Sequence, residues 1–268
     1  MGSTASTRQI TFLRSSRPLI RFSMAGPRLA AGLSSPPTPR LGVFVANLAW
    51  RDPVLMARSI IALDQFSRGR FDLGVGSGRF ADQVMKGALD MTGEERIARL
   101  DEGLVVLDRL LRNDLEPFSG RFTTYAQAQT EPGCLQSPRP PLIVAAHGPR
   151  DLKVAAMRAD VWSSYGDLSR IDLDGLIALT KSRNAALNAA CTEIGRDRAT
   201  IGRSLLVPNS AVDPWGDSGP LTRLVEELRA LRSMRLCSIG RDRTATTTSN
   251  ARPRRARTSA LTPAARLA

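Results

Sequence analysis

The order of apolar segments constrains this chain most. Between residues 41 and 231, short apolar strands are followed repeatedly by stretches with helical period. LGVFVA at 41–46 reads as a buried strand. Asp52 then caps a helix with Pro53 at its first position, where a missing N–H costs nothing, and Val54, Ala57, Ile61 and Phe66 lie along one side. That helix ends at Arg68-Gly69, and RFDLGVG at 70–76 is the next strand. Thr92 and Glu95 form a capping box for a helix lined by Ile97, Leu100, Leu104, Leu107 and Leu111. An irregular stretch at 113–140, rich in Pro and Gly, precedes PLIVAAHGP, a strand turning directly into a helix from Arg150 to Arg158. DVWSS at 160–164, a helix at about 173–191, RSLLVPN at 203–209 and a helix at 220–231 complete five strand-helix units. Such alternation demands a parallel sheet covered by helices, either doubly wound or closed as an eight-fold barrel. Period alone leaves both open.

Charge divides the 268 residues into three regions. Residues 1–40 carry six Arg and no acid, an irregular leader whose composition fits a targeting segment, a disordered arm or text read from a displaced frame. Residues 232–268 carry nine Arg and one Asp and read as an irregular tail of the same bias. The formal charge of +13 therefore sits in the ends, and residues 41–231 form a near-neutral domain. This argues against a basic groove on the fold, although an Arg-rich nucleic-acid binder stands as a distant alternative.

One His and three widely spaced Cys (Cys134, Cys191, Cys237) provide neither a zinc motif nor a disulfide framework, so no metal site is expected. A reduced, cytoplasmic setting follows as the expectation. No apolar run approaches the roughly 20 residues needed to cross a bilayer.

Two turns place small residues directly after a strand, where backbone amides can approach a ligand. The first is Gly76-Ser77-Gly78-Arg79, which lacks the third glycine of a dinucleotide fingerprint and also reads as a plain tight turn. The second is Ala145-Ala146-His147-Gly148, followed by Pro149 at a helix start suited to a phosphate; a simple helix cap is the competing reading. No G-x-S-x-G surrounds Ser77, so a nucleophilic triad with His147 is not supported. The pairs Glu94-Glu95 and Glu226-Glu227 read as solvated helix faces. Trp50, Trp162 and Trp215 are as well explained by packing as by a ligand wall.

The blocks LGVFVANLAWRDPVLMARSIIALDQFSRGRFDLGVGSGR, ERIARLDEGLVVLDRLLR, FSGRFTTY and PRPPLIVAAHGPRDLKVAAMRADVW resemble, in order and spacing, the bacterial luciferase-like family of flavin- and deazaflavin-dependent oxidoreductases. The resemblance covers about residues 41–216. It implies a (β/α)8 TIM-barrel type of fold, here incomplete, with two strands missing before residue 41 and one after residue 231. It also implies FMN or the deazaflavin coenzyme F-420 as cofactor, a small-molecule substrate, and hydride transfer or oxygen activation. Homodimers are frequent among relatives. Carried onto this sequence, it puts Phe44, Val45, Ala46 and Asn47 beneath the cofactor ring, with a non-proline cis peptide at Phe44-Val45. Gly76, Ser77, Gly78 and Arg79 would border the ring's polar edge, and Ala145, Ala146, His147 and Gly148 would meet the cofactor phosphate. No catalytic acid or base is singled out. Because five strands cannot close a barrel, an inactive fragment of such an enzyme is the main alternative.

Overall fold

The computed structural model describes residues 41–78, 91–165, 171–207, 212, 218–229 and 234–238. Strands β1 (Leu41–Asn47), β2 (Phe71–Gly76), β5 (Leu142–Ala145), β6 (Val161–Tyr165), β7 (Gly202–Val207) and β8 (Met234–Ser238) form one parallel sheet in the order β1-β2-β5-β6-β7-β8. A doubly wound sheet reverses its strand order at a switch point. This one never does, and it curls into a half-barrel.

Helices α1 (Pro53–Ser67), α2 (Gly93–Leu111), α3 (Pro149–Arg158), α4 (Leu173–Glu193) and α5 (Ser218–Leu228) follow their strands, and each packs against the next. Successive helix contacts of this kind arise when the crossovers all cover one face. Between α2 and β5 the chain leaves the repeat for a small antiparallel hairpin, β3 (Phe118–Ser119) with β4 (Thr124–Tyr125).

The expected caps are present. Asp52 accepts from Leu55 N at 2.8 Å, and Thr92 Oγ1 accepts from Glu95 N at 3.1 Å. Leu100, Leu104, Leu107 and Leu111 are buried against the sheet, where β2 is covered along its entire length. Trp162 is fully buried and belongs to this core. A second apolar cluster joins Leu176, Leu205, Leu224 and Leu228 of α4, β7 and α5.

Two expectations need correction. The sheet has six strands rather than five: Met234–Ser238 pairs with β7 from Arg203↔Met234 to Val207↔Ser238, inside the stretch expected to be irregular tail. Only five residues long, with Arg235 within it and an Arg-rich sequence after it, that strand lacks the apolar run that marks the others. Phe66 does not join the buried side of α1; it is 68% exposed. It lies nearly opposite Asp64, which is fully buried and accepts from Leu135 N and Gln136 N at 2.7 and 3.0 Å. Among the described residues, β1 has a sheet neighbour only on its β2 side.

Candidate active site

Parallel strands put all their carboxyl ends at one rim, and there the two small-residue turns meet. Asn47 pairs with Gly76 in the β1–β2 register. A Cβ on Gly76 would lie 3.8 Å from the Ala145 side chain at the end of β5. Beyond the strands, the Ser77 hydroxyl lies close enough to the Asp151 carboxyl, in the first turn of α3, to favour its charged form. The glycine turn after β2 and the helix start after β5 are therefore neighbours.

The β1 ladder is broken between Val43 and Ala46, and the Phe44-Val45 peptide within that break is cis, as the resemblance implied. Gly74 faces it from β2, where a Cβ would sit 2.3 Å from the Val43 carbonyl oxygen. At the strand end, Gly78 has φ +78°, and a Cβ there would lie 2.0 Å from Asn47 Nδ2. Only glycine fits both the backbone angle and the space. Against this surface the Asn47 side chain is held with both Nδ2 and Oδ1 buried, and neither has a hydrogen-bond partner among the described residues. An amide withheld from water without a partner is costly, on the order of 1–3 kcal/mol, and calls for an explanation.

The second turn is shaped by a change of partners. Ala146 N still donates to Ser163 O of β6 at 3.4 Å, but the Ala146 carbonyl instead accepts from the indole Nε1 of Trp162 at 2.9 Å. Past that residue β5 no longer follows β6, and Tyr165 N donates to His147 Nε2 at 3.4 Å. The imidazole thus stands in for the departed strand, and its ring meets the Tyr165 ring edge-on at 4.7 Å. Burial, and secondarily the charge of Arg183, push the His147 pKa down to about 4. With Nε2 accepting, the neutral ring carries its proton on Nδ1. Arg183 of α4 donates to the Tyr165 carbonyl and to Ser164 Oγ, tying α4 to the same rim.

Helix α3 opens with Gly148 as N-cap and Pro149 next, and no side chain caps it. Its first-turn amides are left for another acceptor. An ionised Asp151 would oppose an anion there. Burial raises its pKa, against the opposing pull of Arg96 and the Ser77 hydroxyl.

The structure therefore groups Val45, Ala46, Asn47, Gly76, Ser77, Gly78, Ala145, Ala146, His147 and Gly148 along one rim, whereas the Phe44 ring lies over Gly42, near the amino end of β1. Arg79 and Trp215 lie outside the described residues. Asp151, Tyr165 and Arg183 were not anticipated. Asp151 reads as an ordinary first-turn acid, and nothing in the spacing of Arg183 links it to a strand end.

A singly wound α/β half-barrel whose carboxyl rim carries a helix start without a side-chain cap and a glycine-containing turn defines a barrel-type α/β protein. The family model for luciferase-like monooxygenase matches residues 29–204, and the chain belongs to that family. The phthiodiolone/phenolphthiodiolone dimycocerosates ketoreductase of Mycobacterium tuberculosis is 30% identical over 183 residues, 67% of this chain and 44% of that protein. An uncharacterised protein of the same species is 30% identical over 138 residues, 51% of this chain and 48% of that protein. The chain spans about half the length of these curated relatives.

Among solved structures, an F420-dependent secondary alcohol dehydrogenase with an F420-acetone adduct aligns with TM-score 0.64 at 15% identity, covering 81% of this chain and 78% of that one. The F420-dependent tetrahydromethanopterin reductase of Methanopyrus kandleri aligns with TM-score 0.57 at 20% identity, covering 69% and 54%. At such identities the likeness is one of fold.

Proposed function

We propose that this chain is the cofactor-seating part of an oxidoreductase that takes a flavin or deazaflavin at the carboxyl rim and acts on a small organic substrate. Asn47 carries the reading: a buried amide with no partner among the described residues lies on the same rim as an uncapped helix start. The residues present fit such a group. The Phe44-Val45 peptide, the Val45 side chain and Asn47 supply a floor with one donor-acceptor amide; Gly76 and Gly78 let Val45 and Asn47 lie close against the turn after β2; the first turn of α3 supplies amides for a phosphate. When bound, FMN or F-420 supplies hydride transfer or, in the flavin case, oxygen activation. The protein's own contribution is positional. Trp162 fixes the Ala146 carbonyl, and His147 stays neutral and holds Tyr165. The name of the mycobacterial relative supports a ketone/alcohol pair as the substrate class.

A second reading, a domain that does not hold cofactor unaided, is favoured by the free outer edge of β1 among the described residues. Titrating the purified chain with FMN and separately with F-420, followed by cofactor fluorescence, decides between them. Saturable binding of one cofactor is expected, weakened about 10-fold in Asn47→Leu, a near-isosteric change that removes one hydrogen-bonding group. The melting temperature of that variant should not fall, because the amide has no described protein partner to lose. If neither cofactor binds at concentrations up to about 1 mM, on the order of 4 kcal/mol of affinity, the proposal is overturned.

A further inference from the structure

Helix α3 carries an acid where an anion would sit. Gly148 is its N-cap and Asp151 the third residue, and a Cβ on Gly148 would stand 3.9 Å from Asp151 Oδ2. An acid at that position ordinarily reaches back to the N-cap amide and satisfies it. Here it does not: Asp151 Oδ1 is buried with no hydrogen-bond partner among the described residues. The capping role that would explain the residue is therefore unfilled. Pro149 removes a further donor, so the first turn offers the amides of Gly148, Arg150 and Asp151 alone. Arg96 of α2 is the cation that acts on the carboxyl, and its Nη1 donates to the Met91 carbonyl at 3.2 Å. Arg150 faces Glu94, at 3.7 Å, where both are exposed, and Lys153 pairs with Glu193 of α4. Ser77 approaches from the turn after β2, and His147, in the turn that leads into α3, is neutral.

We propose that Asp151 is a charge filter in the phosphate seat, admitting a phosphate with one negative charge and resisting one with two. The inference rests on the cofactor reading above and specifies which cofactor chemistry that seat prefers. A helix start is worth about half a positive charge and Arg96 a whole one, while an ionised Asp151 subtracts one, so that about half a charge remains. That suits a monoanion and falls short of a dianion. FMN ends in a phosphate monoester, which gains its second charge above a pKa of about 6. F-420 continues through a phosphodiester, which holds one charge throughout, and the carboxylates of its tail lie several bonds farther out. The seat therefore favours the phosphodiester, and it accepts FMN best while that phosphate is singly charged. Burial sharpens the effect, because like charges repel more strongly beside a carboxyl oxygen withheld from water than on an open surface.

Fluorescence titration of the full chain and of Asp151→Asn with FMN, F-420 and riboflavin, from pH 5 to pH 8, tests this. In the unsubstituted chain the affinity ratio of F-420 over FMN should rise about 10-fold across that range, as the monoester takes its second charge. At pH 8, Asp151→Asn should tighten FMN by about 10-fold and F-420 by no more than about 3-fold, and should leave riboflavin, which has no phosphate, unchanged. A ratio that stays flat with pH in the unsubstituted chain overturns the inference without recourse to any variant. So does a gain in riboflavin affinity as large as that in FMN affinity, because the acid would then act on the shape of the site and not on the phosphate. Binding of FMN and F-420 that Asp151→Asn leaves untouched overturns this inference alone. Absence of binding by either cofactor to either chain overturns the cofactor reading and the inference with it.

Discussion

His147 offers the sharpest test of the rim, because it is the only histidine in the chain and its imidazole can be followed without assignment. The replacement of choice is His147→Gln, which keeps an acceptor within reach of Tyr165 N and removes the titration. In the unfolded chain the imidazole takes its ordinary value of 6.5; in the folded protein, burial and then the Arg183 charge lower it to about 4. Between those values the unfolded state binds a proton that the native state refuses. The contribution to stability is therefore complete above pH 6.5 and is lost as pH falls toward 4. Over pH 7 to pH 4 the loss amounts to about 3 kcal/mol. Urea unfolding of both proteins at several pH values in that window should show the parent chain losing about 3 kcal/mol more than the variant. Asp151, with its raised pKa, titrates in both chains and cancels in the comparison. A single imidazole resonance titrating near 6.5 in the folded protein, or two parallel stability profiles, would refute the idea that His147 is held neutral as the acceptor for Tyr165.

The opposite rim should respond to different changes. Arg139 is buried and bridges Asp108 and Asp160, each at 2.5 Å, while Asp160 also accepts from Leu142 N at the start of β5. Arg139→Ala should cost about 2–3 kcal/mol, at the low end for a broken bridge because both acids keep contact with water, and should be visible as a lower urea midpoint with cofactor affinity unchanged. Glu102 accepts from Arg121 N, Phe122 N and Thr123 N, tying the β3–β4 hairpin to α2. Glu102→Ala should free that turn and make trypsin cleave after Arg121 at least about 10-fold faster under native conditions, with the rest of the chain intact. Equal cleavage rates would show that the hairpin is held by other contacts.

Local signals were legible wherever a single residue performs a local task. Asp52 and Thr92 cap the helices they precede, and the apolar stripe of α2 faces the sheet as its period requires. The choice between barrel and doubly wound sheet was not legible in period, because it depends on the order in which strands assemble. Strand β8 was missed because five residues with an internal arginine carry no pattern of their own; pairing with β7 creates the strand. The site divides in the same way. Glycines after a strand announce a close approach, so both turns could be located from sequence. What joins them could not: the approach of Ser77 to Asp151, the indole of Trp162 on the Ala146 carbonyl and the hold of Arg183 on Tyr165 are products of tertiary folding. Phe66 shows the converse error, an apolar residue at an apolar spacing that folding turned outward.

The bond from Trp162 to Ala146 makes the indole a built-in optical gauge. Its chromophore is shielded from solvent, yet its N–H is anchored to the very peptide whose following amides open α3. Any molecule that tugs on that turn must perturb the dipole to which the excited indole responds. Occupancy could then be read from intrinsic emission, with Trp50 and Trp215 replaced to silence the competing emitters, and without attaching a label.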